Sequence, residues 1–136
     1  MSSISTIALS GMNAATRRLE VSASNVANAG STGALPNVDG TLPAGAQAAY
    51  APLEVVQTAN ASGGTQTSVT TVKPPTTAVS DPQAPFANQN GLVAAPNVDL
   101  SQELVNQMIA SESYAANAKV LAADNRMTKT LLDIRA

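Results

Sequence analysis

The chain has no cysteine, no histidine and no tryptophan. Without cysteine there is no disulfide and no thiolate metal site. Without histidine or cysteine, the commonest proton shuttle and a leading nucleophile are both gone. The acids are scattered along the chain, and Asp99 and Glu103, the one pair spaced i, i+4, sit where helix capping already accounts for acidic residues. No enzymatic activity, cofactor or metal is therefore expected. Aromatic residues are reduced to Tyr50, Phe86 and Tyr114, and the net charge of −2 carries no basic face of the kind that nucleic-acid binding requires. Long apolar runs are missing as well, so no membrane-spanning helix is expected. Met1 to Ile4 lack a basic segment and Ile7-Ala8-Leu9 is too short for a secretory core, so no cleaved signal peptide is expected either. A cytoplasmic protein, or one exported by a machine that reads no cleavable signal, fits these absences.

Large apolar side chains are also scarce. The hydrophobic fraction is 44%, but 26 of the 136 residues are alanine, and Leu, Ile, Val and Phe together number only 28. Burying an alanine contributes far less than the roughly 1.5–3 kcal/mol of a Leu or Val. An isolated monomer is expected to be marginal or partly disordered, with its terminal helices folding on assembly.

What the chain does have is a C-terminal third with no glycine or proline beyond Pro96. A helix from Asp99 to Arg135 would be roughly 55 Å long, against about 30 Å for a compact globule of this size. Such a helix needs something further to lie against. Asp99 is placed as its N-cap, with Gln102 completing a capping box, and Asn97 is the alternative cap. Leu100, Leu104, Ser111, Tyr114, Ala118, Leu121, Asn125, Thr128 and Leu132, flanked by Met108, recur at spacings of 4 and 3, as in a coiled coil. A second amphipathic pattern covers residues 3–29, with Ser3 or Ser5 as cap. It carries Ile4, Ala8, Gly11, Met12, Ala15, Leu19, Ser22 and Val26 on one stripe, and Gly30 stands as the stop. Arg17 and Arg18 are read as solvated.

Between the helices, residues 30–48 are a Gly/Pro-rich linker by composition. Val- and Thr-rich runs at 50–58 and 65–73, separated by Ala59 to Gly64, predict a β-hairpin. Gly63-Gly64 lacks the following lysine and helix of a phosphate loop. Residues 76–97 read as loop. The expected fold is mainly α with a small β insertion. Its parts are an N-terminal helix within residues 1–29, a linker with a hairpin at about 49–73 within residues 30–97, and a C-terminal helix over residues 98–136. The two helices are expected to pack as a coiled-coil-like pair. Met12, Leu19, Leu104, Met108, Tyr114, Leu121 and Leu132 are candidates for the helix–helix or subunit seam.

Asn25 and Asn28 admit two readings. Asparagine is a mediocre helix former, so the pair can mark a fraying helix end. Alternatively, the two amides bond across a packed interface, and we favour this because they lie three apart on one helix face.

At these residues the chain resembles a known family. Leu19-Glu20-Val21-Ser22-Ala23-Ser24-Asn25-Val26-Ala27-Asn28-Ala29 is similar to the N-terminal signature of bacterial flagellar rod, hook and hook-associated proteins. Asp81-Pro82, Pro85, Gly91-Leu92-Val93, Pro96-Asn97-Val98-Asp99, Glu103 to Met108, Tyr114-Ala115-Ala116-Asn117, Val120-Leu121 and Leu131-Leu132 narrow the resemblance to basal-body rod proteins, those of the proximal rod above all. The resemblance implies a structural subunit whose terminal helices polymerise into a hollow, torque-transmitting shaft. It also implies export by the flagellar type III apparatus and assembly in the periplasmic basal body. The implied partners are copies of itself, other rod proteins, the membrane-ring base and the export apparatus. The alternative, a cytoplasmic export adaptor or chaperone, fits less well because such proteins usually carry no Pro/Gly-rich β insertion.

Overall fold

The computed structural model describes residues 3–37 and 39–135; Met1, Ser2, Val38 and Ala136 lie outside it. Two long helices bracket two small β-hairpins: α1 (Ser3–Ala27), β1 (Leu53–Ala59), β2 (Thr65–Thr71), β3 (Thr76–Ser80), β4 (Leu92–Pro96) and α2 (Leu100–Arg135).

The start of α2 follows the capping expectation in part. Asp99 Oδ1 accepts from the backbone N–H groups of Ser101 and Gln102, at 2.9 and 3.1 Å. The Gln102 side chain turns forward to Asn106 instead of closing a capping box. At α1 the sequence-based caps shift: the helix already includes Ser3, and Ser5 is buried inside it. The helix ends at Ala27, with the Asn28 N–H donating to the Ser24 carbonyl. Gly30 lies beyond this end and is not among the positive-φ glycines, so it supplies no left-handed stop.

The helices pack antiparallel. The Ser22 hydroxyl donates to the Glu103 carbonyl at 3.0 Å. Nearer the other end, Gly11 faces Asn117, and the Ser5 hydroxyl donates to the buried Asp124 carboxylate. A Cβ added at Gly11 would lie 2.5 Å from Asn117 Oδ1, so the absent side chain sets how closely the helices approach here. The seam is made of small and polar groups: Ser5, Ala8, Ala15 and Ser22 from α1, and Ala110 and Asp124 from α2, are all buried.

The large apolar residues sit elsewhere. Leu104 is 58% exposed, Met108 69% and Leu132 64%; Leu19 and Tyr114 are also exposed, and Met12 and Leu121 are half-buried. The apolar stripe expected along α2 thus flanks the seam between the helices and does not fill it. The reason is steric: a seam closed by alanine, serine and glycine brings the backbones together, and branched side chains are displaced to its sides.

The first hairpin lies along α1. β1 and β2 are antiparallel from Leu53↔Thr71 to Ala59↔Thr65, within the predicted runs. Gly63 and Gly64, at φ +90° and +84°, turn the tip so that it meets Ile7 and Ser10 of α1. The Ser10 hydroxyl accepts from the Thr65 N–H at 3.1 Å. Arg18, read as solvated, is half-buried and donates to Gln57 of β1, whereas Arg17 forms an exposed ion pair with Glu20.

The loop reading of residues 76–97 is corrected by a second hairpin. β3 and β4 pair antiparallel from Thr76↔Pro96 to Ser80↔Leu92. Pro74-Pro75 closes the first hairpin but leaves the next residue free to begin β3. The long, proline-bearing connection hides the pairing from any local pattern. β4 carries Val93 and Ala94, both fully buried. On its other side Gly33 exchanges two backbone hydrogen bonds with Ala94, each 2.9 Å. The Gly-rich linker is therefore tied in: Ala34 N–H donates to Gln47 and Tyr50 N–H to Ser31. In the exposed turn that follows, hydrogen bonds from the Thr41 side chain and backbone lower the Asp39 pKa.

A side chain at Gly33 has no room. An added Cβ would meet Ala49 N at 2.2 Å and Ala48 C at 2.4 Å, both backbone atoms. Gly33→Ala is expected to lower stability by about 1–3 kcal/mol, whereas Gly30→Ala, which meets nothing within 4 Å, should be near neutral. Urea unfolding of the two variants beside the parent chain measures the difference.

Candidate assembly interface

Asn25 is 1% exposed and uses its whole amide. Its Nδ2 donates to the Leu53 carbonyl at 2.8 Å and to Glu103 Oε1 at 2.7 Å. Its Oδ1 accepts from the Leu53 N–H at 2.9 Å and from the Tyr50 hydroxyl at 3.0 Å. An amide offers two donors and two acceptor sites, and all four are engaged. One side chain from α1 thereby holds the start of β1, Tyr50 three residues ahead of it, and the first turn of α2. The Ser24 hydroxyl also pairs with Tyr50, at 3.1 Å.

Asn28 does something different. Its Nδ2 donates to the Ser24 carbonyl at 2.9 Å and its Oδ1 accepts from Ser31, so it finishes its own helix. The two asparagines share a sequence motif but not a role in the monomer. Asp99 and Glu103 are both committed to partners in the chain, as cap and as acceptor for Asn25.

Beyond this junction the helix pair presents a shallow apolar groove of about 360 Å³. Ala15, Thr16 and Leu19 line it from α1, and Ala110, Ser111 and Tyr114 from α2. It brings Leu19 and Tyr114 of the seven apolar candidates together. Leu104 and Met108 are exposed nearer the start of α2. Leu132 stands apart, on the segment of α2 beyond Asp124, which extends past the level at which α1 begins. Sequence reasoning missed the seam residues Ser5, Glu103, Ala110, Asn117 and Asp124. The signal was present, since Glu103, Ala110, Asn117 and Asp124 recur every seven residues, but three of the four are polar and the fourth is an alanine, so a search for large apolar residues passes over it.

Known proteins resemble this chain in sequence at both terminal segments. The family model described as Flagella basal body rod protein matches residues 6–34, covering most of α1 with both asparagines and Gly33. The model for the C-terminal part of the flagellar basal body rod FlgEFG proteins matches residues 89–134, covering β4 and α2. Over 132 aligned residues the chain is 40% identical to the flagellar basal-body rod protein FlgC of Salmonella typhimurium, with 92% of this chain and 91% of that protein covered. The FlgC of Escherichia coli O6:H1 is 39% identical over the same coverage. The chain belongs to the FlgC family of flagellar basal-body rod proteins. The flagellar hook protein FlgE of Escherichia coli K12 is 41% identical over 46 residues, 34% of this chain and 11% of that protein.

Membership of the FlgC family makes this chain a structural rod subunit located in the flagellar basal body, and an export chaperone is not favoured. Among the described residues no helix is long and apolar enough to cross a membrane.

Asn25→Ala removes four hydrogen bonds and leaves the Leu53 backbone groups and Glu103 without their partner, for an expected loss of about 2–5 kcal/mol. Asn28→Ala should cost no more than about 1 kcal/mol, since only helix-end bonds go. Chemical denaturation of the single variants separates these roles.

Proposed function

We propose that this chain polymerises through its terminal helices, with copies of itself and with other rod proteins, into the hollow torque-transmitting shaft of the proximal rod. It reaches the periplasm through the flagellar export apparatus without a cleaved signal and assembles on the membrane-ring base. The terminal segments, residues 1–29 and 98–136, form the inner, tube-building layer, and residues 30–97 the part between.

The observation that carries this reading is the position of the large apolar side chains. Leu100, Leu104, Val105, Met108 and Ile109 crowd the first turns of α2, and all are exposed in the single chain. Leu131, Leu132 and Ile134 do the same at its other end. Monomers seldom expose continuous apolar surface on this scale without a partner. The helix pair itself is coiled-coil-like: the seven-residue recurrence from Glu103 to Asp124 and the Gly11–Asn117 approach support that geometry. The intramolecular seam is thus closed by small residues, while the apolar residues expected at the subunit seam, Leu104, Met108 and Leu132 among them, remain for neighbouring subunits.

Leu104→Asp tests the division. Leu104 is more than half exposed, so the purified variant should keep its stability to within about 0.5 kcal/mol. In a subunit contact the same carboxylate is buried without a partner, which costs several kcal/mol. Cells carrying the variant as their only copy should make the protein yet lack rods and motility. Normal rods would refute the assignment of Leu104 to a subunit contact.

A further inference from the structure

The two ends of the helix pair differ in charge and in completeness. At the end where α2 begins, Asp99, Glu103 and Glu54 are gathered round a cleft with one cation, Arg18. The exposed Leu100, Leu104 and Met108 stand at the same end, and the first basic residue of α2 is Lys119. At the opposite end α2 runs on for 11 residues from Asp124, which the Ser5 hydroxyl meets, to Arg135, about 16 Å of helix. This overhang has Met127, Leu131, Leu132 and Ile134 exposed, each by more than half. It carries three basic residues, Arg126, Lys129 and Arg135, and one acid, Asp133.

We infer that the overhang of one copy docks on the α2-start end of the next copy, laying Leu131 and Leu132 against Leu100, Leu104 and Met108, with Arg126 and Lys129 facing the acids there. The inference rests on the reading of this chain as a polymerising subunit and names the partner surface. Charge complementarity selects a second copy, since both halves of the contact belong to one chain. The same charges select direction. Antiparallel pairing of two overhangs would set basic residue against basic residue, a like-charge arrangement that suppresses association. Head-to-tail docking sets basic against acidic. A contact between different patches of identical chains leaves one free patch at each end, so it propagates from copy to copy, as an open helical array where the rotation does not close a ring, and does not stop at a two-fold dimer. With salt the polar part of the contact weakens and the apolar part does not.

The absence of natural cysteine makes the test clean, because every disulfide comes from an introduced residue. Leu132→Cys and Leu104→Cys are prepared as separate chains, both at exposed positions, and assembled alone and mixed under mild oxidation. Sedimentation measures self-association in the same samples. The mixture is expected to cross-link at least about tenfold faster than either variant alone. Adding Arg126→Glu and Lys129→Glu to the Leu132→Cys chain should slow that cross-link by about tenfold, and Glu54→Lys in the Leu104→Cys chain should recover part of the loss. Rapid cross-linking of Leu132→Cys with itself would overturn the head-to-tail direction. Self-association without the mixed cross-link would overturn the docking site while leaving the subunit reading intact. A chain that remains monomeric at every concentration, or cross-links only when another rod protein is added, overturns the choice of a second copy.

Discussion

An asparagine amide buried in a protein must find four partners or lose the hydration it had in the unfolded chain. Asn25 finds them in two distant parts of the sequence: Tyr50 and Leu53 around the start of the first hairpin, and Glu103 in the first turn of α2. The geometry of that one site sets the rest. Holding Glu103 beside Asn25 fixes the antiparallel register of the helices, which brings Gly11 to Asn117 and Ser5 to Asp124 farther along. Holding Leu53 beside Asn25 lays the hairpin along α1, so that its tip reaches Ser10. Hydrogen bonds of this kind are directional, and they specify register where a seam of alanine and serine supplies little of the shape selectivity of interlocking large side chains.

That seam explains the energetic character of the molecule. Most of the buried apolar residues are alanines, with Val21 and Val93 the largest among those described. Small residues bring helix backbones close and gain dispersion contacts, but each removes little apolar surface from water. The large apolar residues that could have strengthened a monomer core are on the outside of the helix pair. In the proposed subunit contact these residues are the ones that association would bury, and that burial would couple the stability of the subunit to assembly.

The middle of the chain follows a different logic. Two-stranded hairpins are marginal by themselves, and each here is supported by something outside its own ladder. The first rests on α1. The second has Gly33 bridged to Ala94 on the open side of β4, and Asn97 ties the approach to α2 back to Pro74 and Pro75. Glycine at position 33 permits the backbone of residues 47–49 to come within a distance that no side chain would allow. A stretch rich in glycine and proline thus serves as a packed connection.

The two helices, the first hairpin, the Asp99 cap and the family resemblance were all legible in the sequence. Each is written in local terms: periodicity over consecutive turns, a Val/Thr-rich run, an acid before a helix, a short motif. A seam between helices is not local. The apolar stripe of α2 was visible in the sequence, but which side of the helix would face α1 was decided by the Asn25–Glu103 pairing across 78 residues. The second hairpin was hidden for the same reason, because its strands are short and its pairing depends on Gly33 as well as on β3. Asn25 and Asn28 look alike in sequence, and only the position of Tyr50, Leu53 and Glu103 around the first makes it a junction and leaves the second as a helix end. Periodicity determined which segments are helical; the hydrogen-bond partners that folding brought together decided which faces are inside.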